Sequence, residues 1–219
     1  MTNKEIFDFY IGVGLTPEGA CALMGNMKAE SSMIPNIAQR GMTKLTDAQY
    51  TYAADNGSID FANDRIGYGY FQHTYPSRKA NLLKYAKEFG VSVGNAMMQL
   101  NFSVHEMRSE YPGVWRELTT SRDLFACTQL VCNVYENPKV KNVGTRYEYA
   151  QQFYAEFVTG EPASQPINQP VQKKSFNNSV ARIQLVMNDN GYWDGDIDGK
   201  KTGEFFDKLE EFVRDMKGC

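Results

Sequence analysis

The sequence predicts a mainly α chain: a large helical domain with a small β/loop flap, then a small helical C-terminal module. Three observations predict it. Apolar residues recur at three- and four-residue spacing in six segments before residue 160. One polar stretch, residues 36–64, interrupts them without that period. Three of the eight prolines (Pro162, Pro166, Pro170) fall together among Gln, Ser, Ala and Asn, the composition of a partly extended linker. The expected division is a domain over residues 1–159, a linker over 160–175 and a module over 176–219.

The elements follow in order. A first helix is expected over residues 3–13. The second, over 17–29, has clear start signals: Thr16 to cap it, Pro17 at the first helical position and Glu18 at the positive end of the dipole. Ala20, Leu23, Met24 and Met27 form its buried stripe. Residues 36–64 contain Asp55-Asn56-Gly57 and read as a long loop or small β-rich flap, the kind of segment that often carries function. Helices are then expected over 76–89, 93–109, 122–135 and 145–158. Ser92 and Ser121 serve as caps, and Gly90, Gly144 and Gly160 as stops. Leu124, Cys127, Val131 and Tyr135 give the fifth of these helices an apolar stripe, which marks it as the central core helix.

The bulk numbers exclude several functions. A net charge of −3 does not suit a nucleic-acid partner, which calls for a basic face. No apolar run reaches the roughly 18 residues of a membrane span. The first nine residues carry Lys4, Glu5 and Asp8, so they are not a secretion signal. Cys21, Cys127, Cys132 and Cys219 fit neither a zinc site nor a disulfide framework, and there are two histidines, so no metal or other cofactor is expected. Asp194, Asp196 and Asp198 start a calcium-type loop but do not complete its twelve-residue pattern.

Gly25-Asn26-Met27-Lys28-Ala29-Glu30-Ser31 is the most informative stretch. Glu30 lies three residues after Met27 and seven after Leu23, on or beside the apolar stripe. A carboxyl held against apolar side chains is harder to ionise, which suits a general acid. The plain alternative is an exposed helix-end glutamate. Gly67-Tyr68-Gly69-Tyr70-Phe71-Gln72-His73-Thr74 follows the flap. Its aromatics, amide and hydroxyl suit an open, ring-lined surface for sugars, although Gly-Tyr alternation also describes an ordinary strand and turn. A third piece, Tyr135-Glu136-Asn137-Pro138, ends the core helix, where Pro138 stops it.

In this order the three pieces resemble the phage-tail-type lysozyme family of the lysozyme-like superfamily. Arg78, Lys79 and the flap run over residues 45–57 belong to the resemblance, which spans roughly residues 5–158. It implies a lysozyme-like helical domain and makes Glu30 the catalytic acid. The Gly-Tyr-Gly and Gln-Thr elements would border the substrate cleft, with Tyr68, Tyr70, Gln72, His73, Tyr135 and Asn137 as substrate-binding residues. Gln72-His73-Thr74 stands where the family commonly has Gln-Trp-Thr. Residues 179–212 resemble the small helical peptidoglycan-binding module, through Met187-Asn188, Gly191-Tyr192, Asp198-Gly199 and Thr202. Phe212-Val213 stands where that pattern has Phe-Gln.

The implied reaction is cleavage of β-1,4 bonds in bacterial peptidoglycan, by an endolysin made in the host cytoplasm and acting on the wall after release. For the second acid, Asp47, Asp55, Asp60 and Asp64 all lie in the flap, and Asp64 is the first choice because it abuts the Gly-Tyr segment. Without an approaching carboxylate, a lytic transglycosylase forming 1,6-anhydro ends becomes the reading. Glu136 either lines the cleft or pairs with Arg146. Two other classes stay open: a Cys21–His73 wall peptidase and a non-catalytic wall-binding tail component.

Overall fold

A computed structural model describes residues 1–160, Gln184, Met187 and residues 203–216. Its helices are α1 (Asn3–Gly12), α2 (Pro17–Ser31), α3 (Asp47–Asn56), α4 (Pro76–Phe89), α5 (Ala96–Glu110), α6 (Pro112–Thr120), α7 (Leu124–Leu130), α8 (Val143–Tyr154) and α9 (Gly203–Met216). The chain is mainly α, as predicted. The expected linker and most of the expected C-terminal module, including Asp194, Asp196 and Asp198, lie outside the described residues; Gln184, Met187 and α9 are the described residues within its expected bounds.

Local chemistry starts α1 and α2 where the sequence says, but Asn95 and Asp123, not the predicted Ser92 and Ser121, cap α5 and α7, and Gly144 lies inside α8. Thr2 and Glu5 form a capping box on α1, and Thr16 accepts from the Gly19 amide at 2.9 Å to cap α2. The central helix is α2 rather than the predicted 122–135 segment. Eleven of its fifteen residues are buried, and it packs against α1, α6, α7 and α8. Burying Leu23, Met24 and Met27 contributes about 1.5–3 kcal/mol each. The predicted 122–135 helix is split: α7 widens into a π-helical stretch, Val131–Glu136, which ends at Asn137 with φ of 48°. Such wider turns recur at functional sites.

Two glycines let the neighbours of α2 come close. A Cβ on Gly19 would lie 2.2 Å from the Leu118 carbonyl, and one on Gly25 would lie 2.5 Å from the Arg146 carbonyl. Gly25 therefore sets how near α8 stands to α2.

The flap contains a helix that periodicity did not reveal. Thr46 and Gln49 form a capping box on α3, and Gly57 ends it at φ 77°. Only Tyr50, Thr51 and Ala54 face inward, too few for a clear period. The β character of the flap is limited, among the described residues, to isolated antiparallel bridges, Ala38 with Tyr68 and Tyr68 with His73. A second apolar cluster lies beneath: Tyr50, Phe61, Tyr68, Leu82, Val93, Met98 and Phe102. Among the described residues no helix is long and apolar enough to cross a membrane.

Candidate active site

Glu30 stands in the last turn of α2, one helical turn after Asn26, so both side chains leave the same face. That face meets Arg146 of α8. The guanidinium donates from Nη2 to Glu30 Oε1 and from Nη1 to Asn26 Oδ1 at 3.0 Å. Asn26 is itself fixed, its Nδ2 donating to the carbonyls of Ala22 at 2.9 Å and Thr128 at 3.2 Å. The Glu30 side chain is 18% exposed and that of Arg146 is 6% exposed. Glu30 is thus the solvent-touching tip of a buried polar cluster, and its immediate partner is a cation rather than the apolar wall expected from the sequence.

Behind this pair lies a second one. Arg78 of α4 grips Glu106 of α5 through two bonds, 2.7 Å from Nε and 2.6 Å from Nη2, and donates to the Tyr135 carbonyl at 3.2 Å. The Tyr135 hydroxyl donates to Glu106 at 2.7 Å. Burial alone would push the Glu106 carboxyl up, but the bonds and charge from Arg78 hold it below the usual range. Arg78 thereby ties α4, α5 and the π-helical stretch into one wall. Glu136, last residue of that stretch, lies in the field of Glu30, Arg78, Arg146 and Glu106. Burial, then the Glu30 charge, raises its pKa well above the ordinary carboxyl value. Glu136 Oε1 and Arg146 Nε are both sealed from solvent and unpaired.

The predicted second acid, Asp64, is bound into a polar cluster of its own. Asp64 Oδ2 accepts from the Tyr50 hydroxyl at 2.6 Å, and Oδ1 accepts from the Ile66 amide at 2.9 Å and from Lys79. Lys79 is wholly buried and also donates to Tyr50 at 3.0 Å and the Ile66 carbonyl at 2.7 Å. Burial lowers the Lys79 pKa, against the opposing pull of Asp64. The other flap aspartates are engaged too. Asp47 accepts from Arg40 at 3.1 and 3.0 Å, Asp55 from the Val93 amide at 2.8 Å and Asp60 from Asn63 at 2.9 Å.

The expected ring-lined surface is not formed by the predicted residues. Tyr68, Tyr70, His73 and Tyr135 are at most 3% exposed, because the Gly-Tyr segment folds inward as a tight turn. Tyr68 and His73 bond each other's backbones at 3.2 and 3.0 Å. Gly69 turns at φ 80° beneath Gln99, whose Oε1 accepts from the Tyr70 amide at 2.9 Å. The Tyr68 hydroxyl meets Thr51 Oγ1 at 2.7 Å. Gln72 is half-buried and donates to the Ile37 and Gly69 carbonyls, both at 3.1 Å. Asn137 is half-buried, its Oδ1 accepting from Lys141 at 3.0 Å. These residues shape the wall from inside.

The thiol–imidazole alternative loses its chemistry. Burial pushes the Cys21 thiol up to about 12, and burial, then the Arg78 charge, pulls the His73 imidazole down to about 3, so neither takes its catalytic form near neutrality. Among the described residues no group of three His, Cys, Asp or Glu side chains could hold a metal ion.

Sequence reasoning missed Arg146 as the partner of Glu30. The one local signal was the four-residue spacing of Asn26 and Glu30; Arg146 lies 116 residues further along the chain, where no spacing rule reaches. No curated protein matches the chain in sequence. The family model for phage tail lysozyme matches residues 1–157, the stretch that holds every contact described above. By that match the chain belongs to the phage tail lysozyme family, and lysozyme-like hydrolysis of peptidoglycan is its general activity.

Proposed function

We propose that the chain is a muramidase-type endolysin that cleaves β-1,4 bonds of the glycan strand, with Glu30 as general acid. The observation that carries this reading is the position of Glu30. Of the two carboxyls of the central helix, Glu18 and Glu30, it is the more exposed, and a buried guanidinium, itself held by Asn26, fixes its orientation. A proton delivered from Glu30 to the glycosidic oxygen would let the bond break through an oxocarbenium-like state. Residues 176–219 would add affinity for the wall, and the protein would act bacteriolytically after release.

One observation favours a second outcome. Each flap aspartate is held by a neighbour, and Asp64 has both oxygens occupied. A site without a free second carboxylate suits attack by the sugar's own hydroxyl, which leaves 1,6-anhydro ends. Mass spectrometry of digested, reduced peptidoglycan separates the two. Hydrolysis gives ends that take up hydride on reduction, and transglycosylation gives anhydro ends that do not. Loss of both products in Glu30→Gln assigns the proton to Glu30.

A further inference from the structure

Away from the Glu30 cluster, α4 and α5 carry a ladder of aromatic rings that the site above does not use. Phe89 stacks on Tyr85, with centroids 4.8 Å apart and planes 27° apart, and Tyr85 stacks on His105 at 5.3 Å and 29°. Phe102 meets Tyr85 edge-on at 5.5 Å. The ladder reaches the surface: Phe89 is 51% exposed, His105 is exposed and Tyr85 is half-buried. On α5, Asn101, His105 and Ser109 follow at four-residue spacing and so share one face. Glu106, the next residue after His105, leaves the helix about 100° away and turns inward to Arg78.

Beside the ladder lies a groove of about 380 Å³, walled by Tyr85, Asn101, Val104, His105, Arg108 and Ser109. That is the size of a small-ligand site. Val104 is buried and gives the groove an apolar floor. Several polar atoms around it are uncommitted. Among the described residues, the Tyr85 hydroxyl, both ring nitrogens of His105 and Asn101 Oδ1 make no hydrogen bond to protein; Asn101 Nδ2 donates to the Met97 carbonyl at 2.9 Å. Arg108 is the one lysine or arginine in the wall, and it is engaged. It donates to the Val13 carbonyl at 3.2 Å and lies 4.4 Å over the Trp115 ring. The wall contains no carboxylate. Rings, an amide and hydroxyls without surplus charge suit a neutral ligand that has apolar faces and a hydroxyl rim. An acidic peptide would meet a single cation there, already held by its neighbours.

We infer that the α4–α5 groove is a second saccharide site, which takes one N-acetylhexosamine unit of the glycan strand. The sugar ring lies on His105, and its acetamido and hydroxyl groups bond to Asn101 and the Tyr85 hydroxyl. The choice of occupant rests on lysozyme-like activity toward peptidoglycan, not on which residue donates the proton. The groove has no acid of its own, so it holds the strand without cutting it.

The test titrates the full chain, labelled with 15N, with N,N′-diacetylchitobiose, a neutral two-sugar probe, and follows the amide signals by NMR. The amides of Tyr85, Asn101, His105 and Ser109 should shift together and saturate. His105→Ala should weaken this binding about three- to tenfold, the loss of one stacked ring, with signals elsewhere unchanged to show that the fold is kept. Asn101→Ala, which removes the acetamido partner, should weaken it as well. Shifts confined to residues around Glu30, no shifts at all, or affinity unchanged in both variants overturn the proposal. So does an equal response to an acidic tripeptide of alanine, glutamate and lysine.

On insoluble peptidoglycan, His105→Ala should raise KM about three- to tenfold with kcat unchanged, because it removes binding that is the same before and during the reaction. An unchanged KM overturns the proposal. A wild type that releases no glycan fragments overturns the glycosidase reading instead, and leaves the titration to decide on the groove.

Discussion

Two buried carboxylate–cation clusters lie in this domain, and they differ in completeness. Around Asp64 and Lys79 the ammonium spends its three donors on Asp64, Tyr50 and the Ile66 carbonyl, and both carboxylate oxygens are occupied. Around Glu30 and Arg146 a carboxyl oxygen and a guanidinium nitrogen have no partner, and Glu30 touches solvent. The first cluster has one low-energy arrangement and locks the flap to α4. The second is incomplete and opens to the outside. A saturated polar network specifies structure; an unsaturated one is where chemistry can happen.

The largest effect expected is on turnover. Glu30→Gln should cut glycan release by at least about 10²-fold, the range for losing a general acid, and should lower the melting temperature without preventing folding, because Arg146 stays buried without its anion. Asp64→Asn would break the comparison if it did the same to turnover with the fold intact, since Asp64 would then be catalytic. The account instead expects Asp64→Asn to lower stability first.

Lys79→Met should cost about 3–5 kcal/mol of stability, because it leaves Asp64 partly buried without its cation; urea unfolding measures this. Gly25→Ala sharpens the contrast from the other side. Its Cβ would meet the Arg146 carbonyl at 2.5 Å and Ala150 at 2.8 Å, pushing α8 outward at a cost of about 1–3 kcal/mol. It should lower kcat further than an equally destabilising change in the flap, because Arg146 moves with α8.

Stability against pH separates two groups of opposite sign. His73 is pulled to about 3 from an ordinary 6.5, so the unfolded chain binds a proton there that the fold does not. Stability is lost as pH falls from 6.5 toward 3, by at most about 1.4 kcal/mol per unit, and His73→Leu should flatten that slope. Glu136 is raised, so the fold holds the extra proton. Its contribution is full below the ordinary carboxyl value and declines as pH rises above it, and Glu136→Gln should stabilise the protein at neutral pH. The smallest effect is that of Tyr68→Phe. It removes one bond to Thr51, worth about 1 kcal/mol, and should leave KM unchanged because the ring is buried.

Much of this was legible in the sequence. Periodicity located α1, α2, α4 and α5, with Thr16 marking the start of α2 and Gly90 the end of α4, because those signals are local; the cap of α5 is Asn95 rather than the predicted Ser92. α3 and α6 escaped because they are short: α3 buries three residues, and α6 buries Gly113, Val114 and Leu118. Glu30 stood out through its place at the end of an apolar helix. Its partner did not, since Arg146 reaches it through packing that Gly25 permits, and no spacing rule spans that distance. The Gly-Tyr segment misled for a physical reason. Alternating glycine and tyrosine is compatible with rings facing outward or inward, and only the cavity left by α3, α4 and α5 decides.

The most direct test of the account is a digest of purified peptidoglycan by wild type and Glu30→Gln, with the soluble products read by mass spectrometry. The account predicts glycan fragments from wild type and none from a folded Glu30→Gln variant. Equal release from both, or a wild type that releases none, would contradict it.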